Sequence, residues 1–578
     1  MSSRRRVALA TATAVATAAA LAACSGGSTS TTVPALWYRP ALDGAVIGGT
    51  TPVTVTASRD GTGPFRVDLA GIQSSRDRFR VAAWNAATVA MLTAGLDPRG
   101  RTVTFAAADP LDGPSSGALL AVAAWAALDG RPVPDGVSLT GTVLPNGSVG
   151  PVTGIPAKLR GAAEAGIHTV LIPTQPTQVI DDQDGEPTDP VSLGRTLGLD
   201  VRRVASITEA SAIMHGDEPT PVVAAPPLDP DLVDLVTIAS HQIIDQVVAT
   251  RPTDPALREA ITASRRALAE GQPFTAYSTI TLAQQDQAMS AAAATTERGR
   301  PRQVRRSLIR AIATARQHTH RTLRHDAATP LRATEQYPAL ADALTWATGT
   351  LALLEPLPTA ARNADNRSEM AAIARQLARA EYRVDTYLPL QIEAVERIGR
   401  DSVADPGGVL EVLTAYTQLL GEAGDANSEA LRSEAKSVAP ELDDRVEAQR
   451  VVWQASEGGA DQQHVLARLA SALSYYIASA NAVVAGGLAD ADGGFVDEAF
   501  FADQVRLAAR QNDALSTAVT ALDLDPSYVL WGDDWGRTWA RTTRSSDTRL
   551  RTTGLTYQWY ATVQGQMLRA LAEVSGRG

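Results

Sequence analysis

Lysine is almost missing from this chain. Of its 52 Lys and Arg residues only Lys158 and Lys436 are lysine, and both follow alanine. With no Gly-Lys pair there is no G-x-x-x-x-G-K-[ST] phosphate loop, so an ATP-driven motor is not expected. Cysteine is scarcer still: Cys24 stands alone, which excludes an intrachain disulfide. Aromatic residues make up 5% of the 578 positions, and the formal net charge is -11. That charge argues against a general nucleic-acid binder. What is abundant is alanine and arginine, at 44% hydrophobic and 20% charged residues overall, an ordinary balance for a globular protein long enough for two to four domains.

The first residues read as a targeting segment. Met1 to Arg6 holds three arginines, Val7 to Ala20 is uncharged, and LAAC ends at Cys24. This resembles a bacterial lipoprotein signal: residues 1–23 are removed, the Cys24 thiol is lipidated, and 24–35 tether the protein to the extracytoplasmic face of the cell membrane. An ordinary signal peptide with a chance cysteine is the competing reading. SRRRVAL is also similar to a twin-arginine signal, so the export route stays open.

From 36 to 215, strand and helix signals alternate. TPVTVTA (51–57), RTVTF (101–105), VSLTG (137–141) and HTVLIP (168–173) are β-rich runs bounded by glycine and proline. Residues 77–94, 116–128 and 156–165 are helical, the last with a proline suited to a first turn. A proline- and acid-rich stretch, 216–231, reads as a linker. Beyond it, 232–578 is helical throughout. Leu232, Leu235, Val236, Ala239, Ile243 and Val247 recur at helical spacing, as do Leu466, Leu469, Leu473, Tyr476 and Ala480. The apolar run 469–488 carries serines and an asparagine and reads as a core helix before a membrane span.

One stretch carries chemistry. LDGPSSGALLAVAAWAAL (111–128) sets a serine in a Gly-Pro turn that opens an apolar helix, where backbone N–H groups can stabilise a developing oxyanion. Alone it is weak, because Gly, Pro and Ser before a helix are usually a cap and a turn. Read with LTGTV (139–143) and NGSVGPVTGIPAKLRGAAEAGIHTVLIP (146–173), it resembles the proteolytic domain of Lon-type proteases, the Ser–Lys dyad peptidases. The resemblance is specific over about 65 residues. It implies Ser115 as nucleophile and Lys158 as general base, with Thr140 positioning the amine. Asp112, Gly113 and Pro114 match the turn before the nucleophile. Three residues depart from the pattern: Ser116 for alanine, Thr142 for glutamate and Thr153 for the first of two glycines. These put substrate contacts and assembly in doubt.

The dyad requires a neutral lysine. An unperturbed amine titrates at about 10.4, so desolvation must supply roughly 4 to 5 kcal/mol to bring it near 7. Ile155, Ala157, Leu159 and Ala162 are the apolar neighbours expected to do so. Arginine cannot replace it, because a guanidinium does not deprotonate in a protein.

Other signals carry less. PRQVRRSLIRAIATARQHTHRTLRH (301–325) reads as a solvated helix rather than a surface for anionic lipid. His318, His320 and His325 lack metal-ligand spacing, and the acidic runs 181–189 and 490–498 do not fit calcium loops. Trp531, Trp535 and Trp539 repeat every fourth residue, usually a packing stripe.

The expectation is an α+β Lon-type proteolytic domain followed by an all-α helical domain: an exported, membrane-anchored, ATP-independent serine endopeptidase acting on exposed or partner-delivered polypeptide. No cofactor, metal or nucleic acid is expected, and self-association stays open. The alternative is an inactive Lon-like scaffold whose helical domain binds a cell-envelope partner. Restricted self-cleavage in the linker is a third reading.

Overall fold

A computed structural model describes residues 28–41, 46–61, 63–70, 76–107, 114–217, 224–399, 403, 405–433, 440–485, 498–541 and 548–575. Cys24, Asp112 and Gly113 lie outside the described residues. The chain divides into two compact units, Met1–Pro221 and Val222–Gly578.

The first unit mixes strands and helices. Strands β1 (Thr29–Pro40), β2 (Val46–Arg59), β3 (Arg66–Ala70) and β4 (Arg101–Ala107) form one sheet in the order β1-β2-β4-β3. β1, β2 and β4 pair antiparallel, while β3 runs parallel to β4 through the crossover helix α1 (Arg76–Ala94). The apolar helix α2 (Gly117–Leu128) follows a 3-10 turn, Pro114–Ser116, and packs against α1.

Next come β5 (Val137–Leu139), a small antiparallel pair β6 (Thr142–Val143) and β7 (Val149–Gly150), helix α3 (Ile155–Glu164) and β8 (Thr169–Pro173). The pair β9 (Val179–Ile180) and β10 (Pro187–Thr188) leads to α4 (Pro190–Thr196), β11 (Asp200–Val204) and α5 (Ile207–His215). Strands β5, β8 and β11 make a parallel sheet in the order β11-β8-β5. Parallel strands need crossovers, and α3 and α4 supply them. Ile155, Leu159 and Ala162 of α3 are buried in one core with Val170 and Ile172 of β8 and Val201 of β11.

Residues 29–33 differ from the tether reading. A serine- and threonine-rich run suggests flexibility by composition, but threonine is β-branched and suits a pleated surface. Thr31, Val33 and Ala35 alternate inward, and β1 pairs with β2 along its whole length, from Thr29↔Ala57 to Pro40↔Val46. Pro34 is tolerated because β1 is an edge strand.

In the second unit every described element is a helix. The helix Pro230–Ala249 is long and apolar enough to cross a membrane by length and composition. Its buried stripe runs through Leu232, Leu235, Val236, Ser240, Ile244 and Val247, with Ala239 and Ile243 at the stripe's edge. In Gln462–Ala485, Leu466, Leu469, Leu473 and Tyr476 are fully buried, the packing of a core helix. The arginine-rich helix Pro301–Ala327 lays Leu308, Ile312 and Ala315 against Met370 and Leu377, and its Arg316 pairs with Glu355 at 2.7 Å. Trp531, Trp535 and Trp539 are buried and meet Phe274, Tyr277, Trp346 and Tyr387 edge-on. Their spacing is a packing stripe.

Candidate active site

The site grows from the carboxyl end of β5. There the chain leaves the parallel sheet at Thr140, whose N–H still donates to Leu171 O of β8 at 3.0 Å. Gly141 N–H then donates to Ser115 O at 2.8 Å, and Ala118 N–H donates to Gly141 O at 2.9 Å. These two backbone bonds staple the Pro114–Ser116 turn to the segment after β5. Residue 141 is glycine where a Cβ would lie 2.3 Å from Val149 Cγ1 of β7. They also commit the Ala118 N–H, leaving it unavailable to an oxyanion. Pro114 and Ser115 are half-buried; Ser116 is buried at the start of α2, with no capping bond from its side chain.

Lys158 comes from the opposite side. Gly154 begins α3 in the left-handed region, φ +67°, and Pro156 occupies the first turn, which fixes where the helix starts. Helix α3 then lies backbone-to-backbone on β2. A Cβ on Gly48 would fall 1.8 Å from Ala157 O, and a Cβ on Gly161 would fall 2.3 Å from Gly49 N. Side chains at these glycines would push the helix off the strand and withdraw Lys158 with it.

The two halves meet on Thr140. Lys158 Nζ donates to Thr140 Oγ1 at 3.0 Å, and the threonine hydroxyl donates onward to Ser115 O at 3.3 Å. A hydroxyl has one proton, so its bond to the carbonyl leaves a lone pair to accept from the amine. A neutral amine using one N–H in this way keeps its own lone pair free to take a proton. The Ser115 hydroxyl makes no hydrogen bond to Lys158 Nζ. Such contacts often tighten only when substrate is present.

Burial sets the charge. Lys158 is 1% exposed, and this desolvation lowers its pKa from 10.5 to about 7. That difference is worth about 5 kcal/mol in favour of the uncharged amine. Of the four expected neighbours, Ile155, Leu159 and Ala162 belong to the core beneath α3, and Ala157 is 1% exposed.

Sequence reasoning missed Tyr38, Gly48, Gly49 and Gly161. The Gly-Gly pair inside the β-rich run VIGGTTPVTV was the available signal, since glycine in a strand often marks close backbone approach. Tyr38 carried no signal: it is one of 11 tyrosines and lies 120 positions before Lys158 in the chain. The departures at 142 and 153 now have surroundings. Thr142 Oγ1 is buried without a partner, and Thr153 Oγ1 is hydrogen-bonded to the Tyr38 hydroxyl at 2.8 Å.

A serine at a helix start and a buried lysine are thus both held by one threonine beyond a parallel strand. Residues 104–189 match the model of the Lon protease (S16) C-terminal proteolytic domain, and this part of the chain is a Lon-type proteolytic domain. Over 81 residues the chain is 43% identical to Lon protease 1 of Sorangium cellulosum (strain So ce56), covering 14% of this chain and 10% of that protein. It is 38% identical over 102 residues to the Lon protease of Frankia alni (strain DSM 45986 / CECT 9034 / ACN14a), covering 18% and 11%. To Lon protease 2 of Bacillus subtilis (strain 168) it is 32% identical over 139 residues, covering 22% and 25%. The chain thus spans only a tenth to a quarter of the length of these relatives. The second unit lies outside the matched family segment.

Among the described residues no group of His, Cys, Asp and Glu is arranged to hold a metal ion. The second unit contains a cleft of about 810 Å³ lined by Arg506, Arg510, Arg537, Arg541 and Arg551 over Phe501 and Val505. Three of these arginines are paired: Arg506 with Asp503, Arg537 with Asp513 and Arg551 with Glu498.

Proposed function

We propose that this protein is an ATP-independent serine endopeptidase with Ser115 as nucleophile and Lys158 as general base. The observation that carries the reading is the buried amine linked through Thr140 to the Ser115 backbone and drawn into the neutral range by desolvation. The family match over 104–189 supports the reaction class. In the reaction the Lys158 lone pair takes the Ser115 proton as Oγ attacks the peptide carbonyl carbon, whose π electrons move to oxygen. The tetrahedral intermediate collapses and expels the amine, which receives the proton from the Lys158 ammonium. Water, deprotonated by the same lysine, then releases the acyl group from Ser115.

Without a phosphate loop to couple ATP to unfolding, the substrate is exposed or unfolded polypeptide, or a segment delivered by a partner. Export and lipidation of Cys24, with the protein held at the extracytoplasmic face of the membrane, rest on the sequence of the first 24 residues. The helical unit serves partner or substrate binding.

The second reading is an inactive scaffold whose helical unit binds an envelope partner. The missing hydrogen bond between Ser115 Oγ and Lys158 Nζ favours it. Degradation of casein by the full chain, with Ser115→Ala and Lys158→Arg alongside, separates the two. Loss of activity by about 10³-fold or more in both variants fits the dyad. Unchanged activity in either sinks it, and no activity in any form across pH 6 to 10 leaves the scaffold.

A further inference from the structure

Tyr38 is an aromatic residue at the edge of β1, 39% exposed, directly over a lysine that is 1% exposed. Its ring centroid lies 5.5 Å from Lys158 Nζ. Its hydroxyl is hydrogen-bonded to Thr153 Oγ1 at 2.8 Å, just before α3 begins. Beneath the ring sits Gly154, where a Cβ would come within 2.5 Å of ring carbons. On the opposite strand Tyr38 pairs with Gly48, the residue that lets β2 touch Ala157. Tyr38 therefore bridges from the sheet edge to the first turn of α3. Its outer side is wet, and the amine on its inner side is dry.

We propose that Tyr38 is a positioning residue for the Ser115–Lys158 pair: its ring roofs the Lys158 amine against water, and Thr153 holds the roof in place. The ring acts in two ways that oppose each other. As a cover it disfavours the ammonium; as a π-face it favours it. Magnitudes decide between them. A cation–π contact at a partly exposed ring is worth about tenfold or less in proton affinity, whereas desolvation takes this amine from 10.5 to about 7. We take the ring's share of that cover as the larger effect, so removing the ring is expected to raise the pKa of Lys158.

No charged side chain competes for this effect. The elements packed on α3 are β1, β2, β9 and α4. Their charged groups are Arg39 on β1, Arg59 at the far end of β2, Asp181 next to β9, and Arg195 on α4 with its capping Asp189. Arg39 lies over the Trp37 ring, Arg59 is near Asp97, and Asp181 pairs with Arg160 of α3 at 2.6 Å. Asp189 is bound to Arg203 at 3.1 Å. None pairs with Lys158, whose lowered pKa has desolvation as its cause.

The scarcity of lysine makes the test direct. With only Lys158 and Lys436 in the chain, 13Cε-lysine labelling gives two lysine signals, assigned with Lys436→Arg. In the full chain, Tyr38→Ala should raise the Lys158 midpoint by about one or more, a tenfold change in proton affinity. Casein cleavage should then fall about fivefold or more at pH 7 and recover above about pH 9. Tyr38→Phe keeps the ring, and Thr153→Val keeps it while removing its anchor; both should shift the midpoint the same way by less than half as much. An unmoved midpoint in Tyr38→Ala, or an activity loss equal at every pH, overturns the inference. If Tyr38→Ala does not fold, Thr153→Val decides, and no upward movement there overturns it.

The role assigned to Tyr38 rests on the peptidase reading, but the NMR midpoint does not. A wild-type chain without peptidase activity whose midpoint rises in Tyr38→Ala would sink the peptidase and keep the roof. An active chain with an unmoved midpoint would do the reverse.

Discussion

Two buried ionisable groups, one in each unit, arrive at the same range from opposite directions. Desolvation brings the Lys158 amine down from 10.5 to about 7 and pushes the Asp342 carboxyl up from 3.8 to about 7. Their surroundings differ. Lys158 is hydrogen-bonded to a threonine that also holds the backbone of a half-buried serine. Asp342 lies in the helical unit with the Tyr528, Tyr557 and Tyr560 phenols near enough to feel its charge, and its Oδ1 has no partner. A neutral-range pKa therefore does not mark a reaction centre by itself; what sets Lys158 apart is the threonine that ties it to the Ser115 turn.

The largest effect that sharpens this contrast is the stability of Lys158→Met. In the folded chain Lys158 loses its proton near pH 7, and in the unfolded chain near 10.5. Between those values the unfolded state holds more protons, so stability rises with pH. The wild type minus Lys158→Met difference should climb by about 5 kcal/mol from pH 7 to 10.5, read by denaturant unfolding. A flat difference would mean the lysine is hydrated.

Asp342→Asn should give the opposite slope. The folded carboxyl keeps its proton up to about 7 while the unfolded one loses it near 3.8, so stability falls as pH rises through that window. The variant should gain on the wild type by about 4 kcal/mol from pH 4 to pH 7. Casein cleavage should not change, because Asp342 is buried and lies outside both the Ser115–Lys158 site and the arginine-lined cleft.

The smallest effect concerns the contact that seats the lysine. Gly48→Ala places a methyl group against Ala157 O, and overpacking of this kind costs about 1 to 3 kcal/mol. Activity should fall along with stability, and the Lys158 midpoint should rise as α3 lifts from β2. An unaffected variant would show that β2 and α3 do not need their close approach.

Much of the first unit was legible because its signals were local. The β-branched runs at 51–57, 101–105 and 168–173 fall on β2, β4 and β8, and Pro156 marks the first turn of α3. The family resemblance that singled out Ser115, Thr140 and Lys158 pointed to three segments that the fold joins through two hydrogen bonds on one threonine. What was not legible depended on distant pairing. Thr29–Val33 looked like a tether until β2 gave it a partner, and Tyr38 matters only because the β1–β2 pair carries it over α3. In the helical unit, the spacing of Trp531, Trp535 and Trp539 showed a face but not its aromatic partners. The arginine-lined cleft gathers residues from 501 to 551, separated along the chain and without a motif.

The decisive observation is the titration of Lys158 itself in the full-length wild-type protein, followed by 13Cε-lysine NMR alongside casein cleavage over pH 5 to 11. A Lys158 midpoint near 7 that coincides with the alkaline-going rise in activity is the predicted result. A midpoint near 10.5, or activity that ignores the Lys158 titration, would contradict a neutral lysine acting as the base for Ser115.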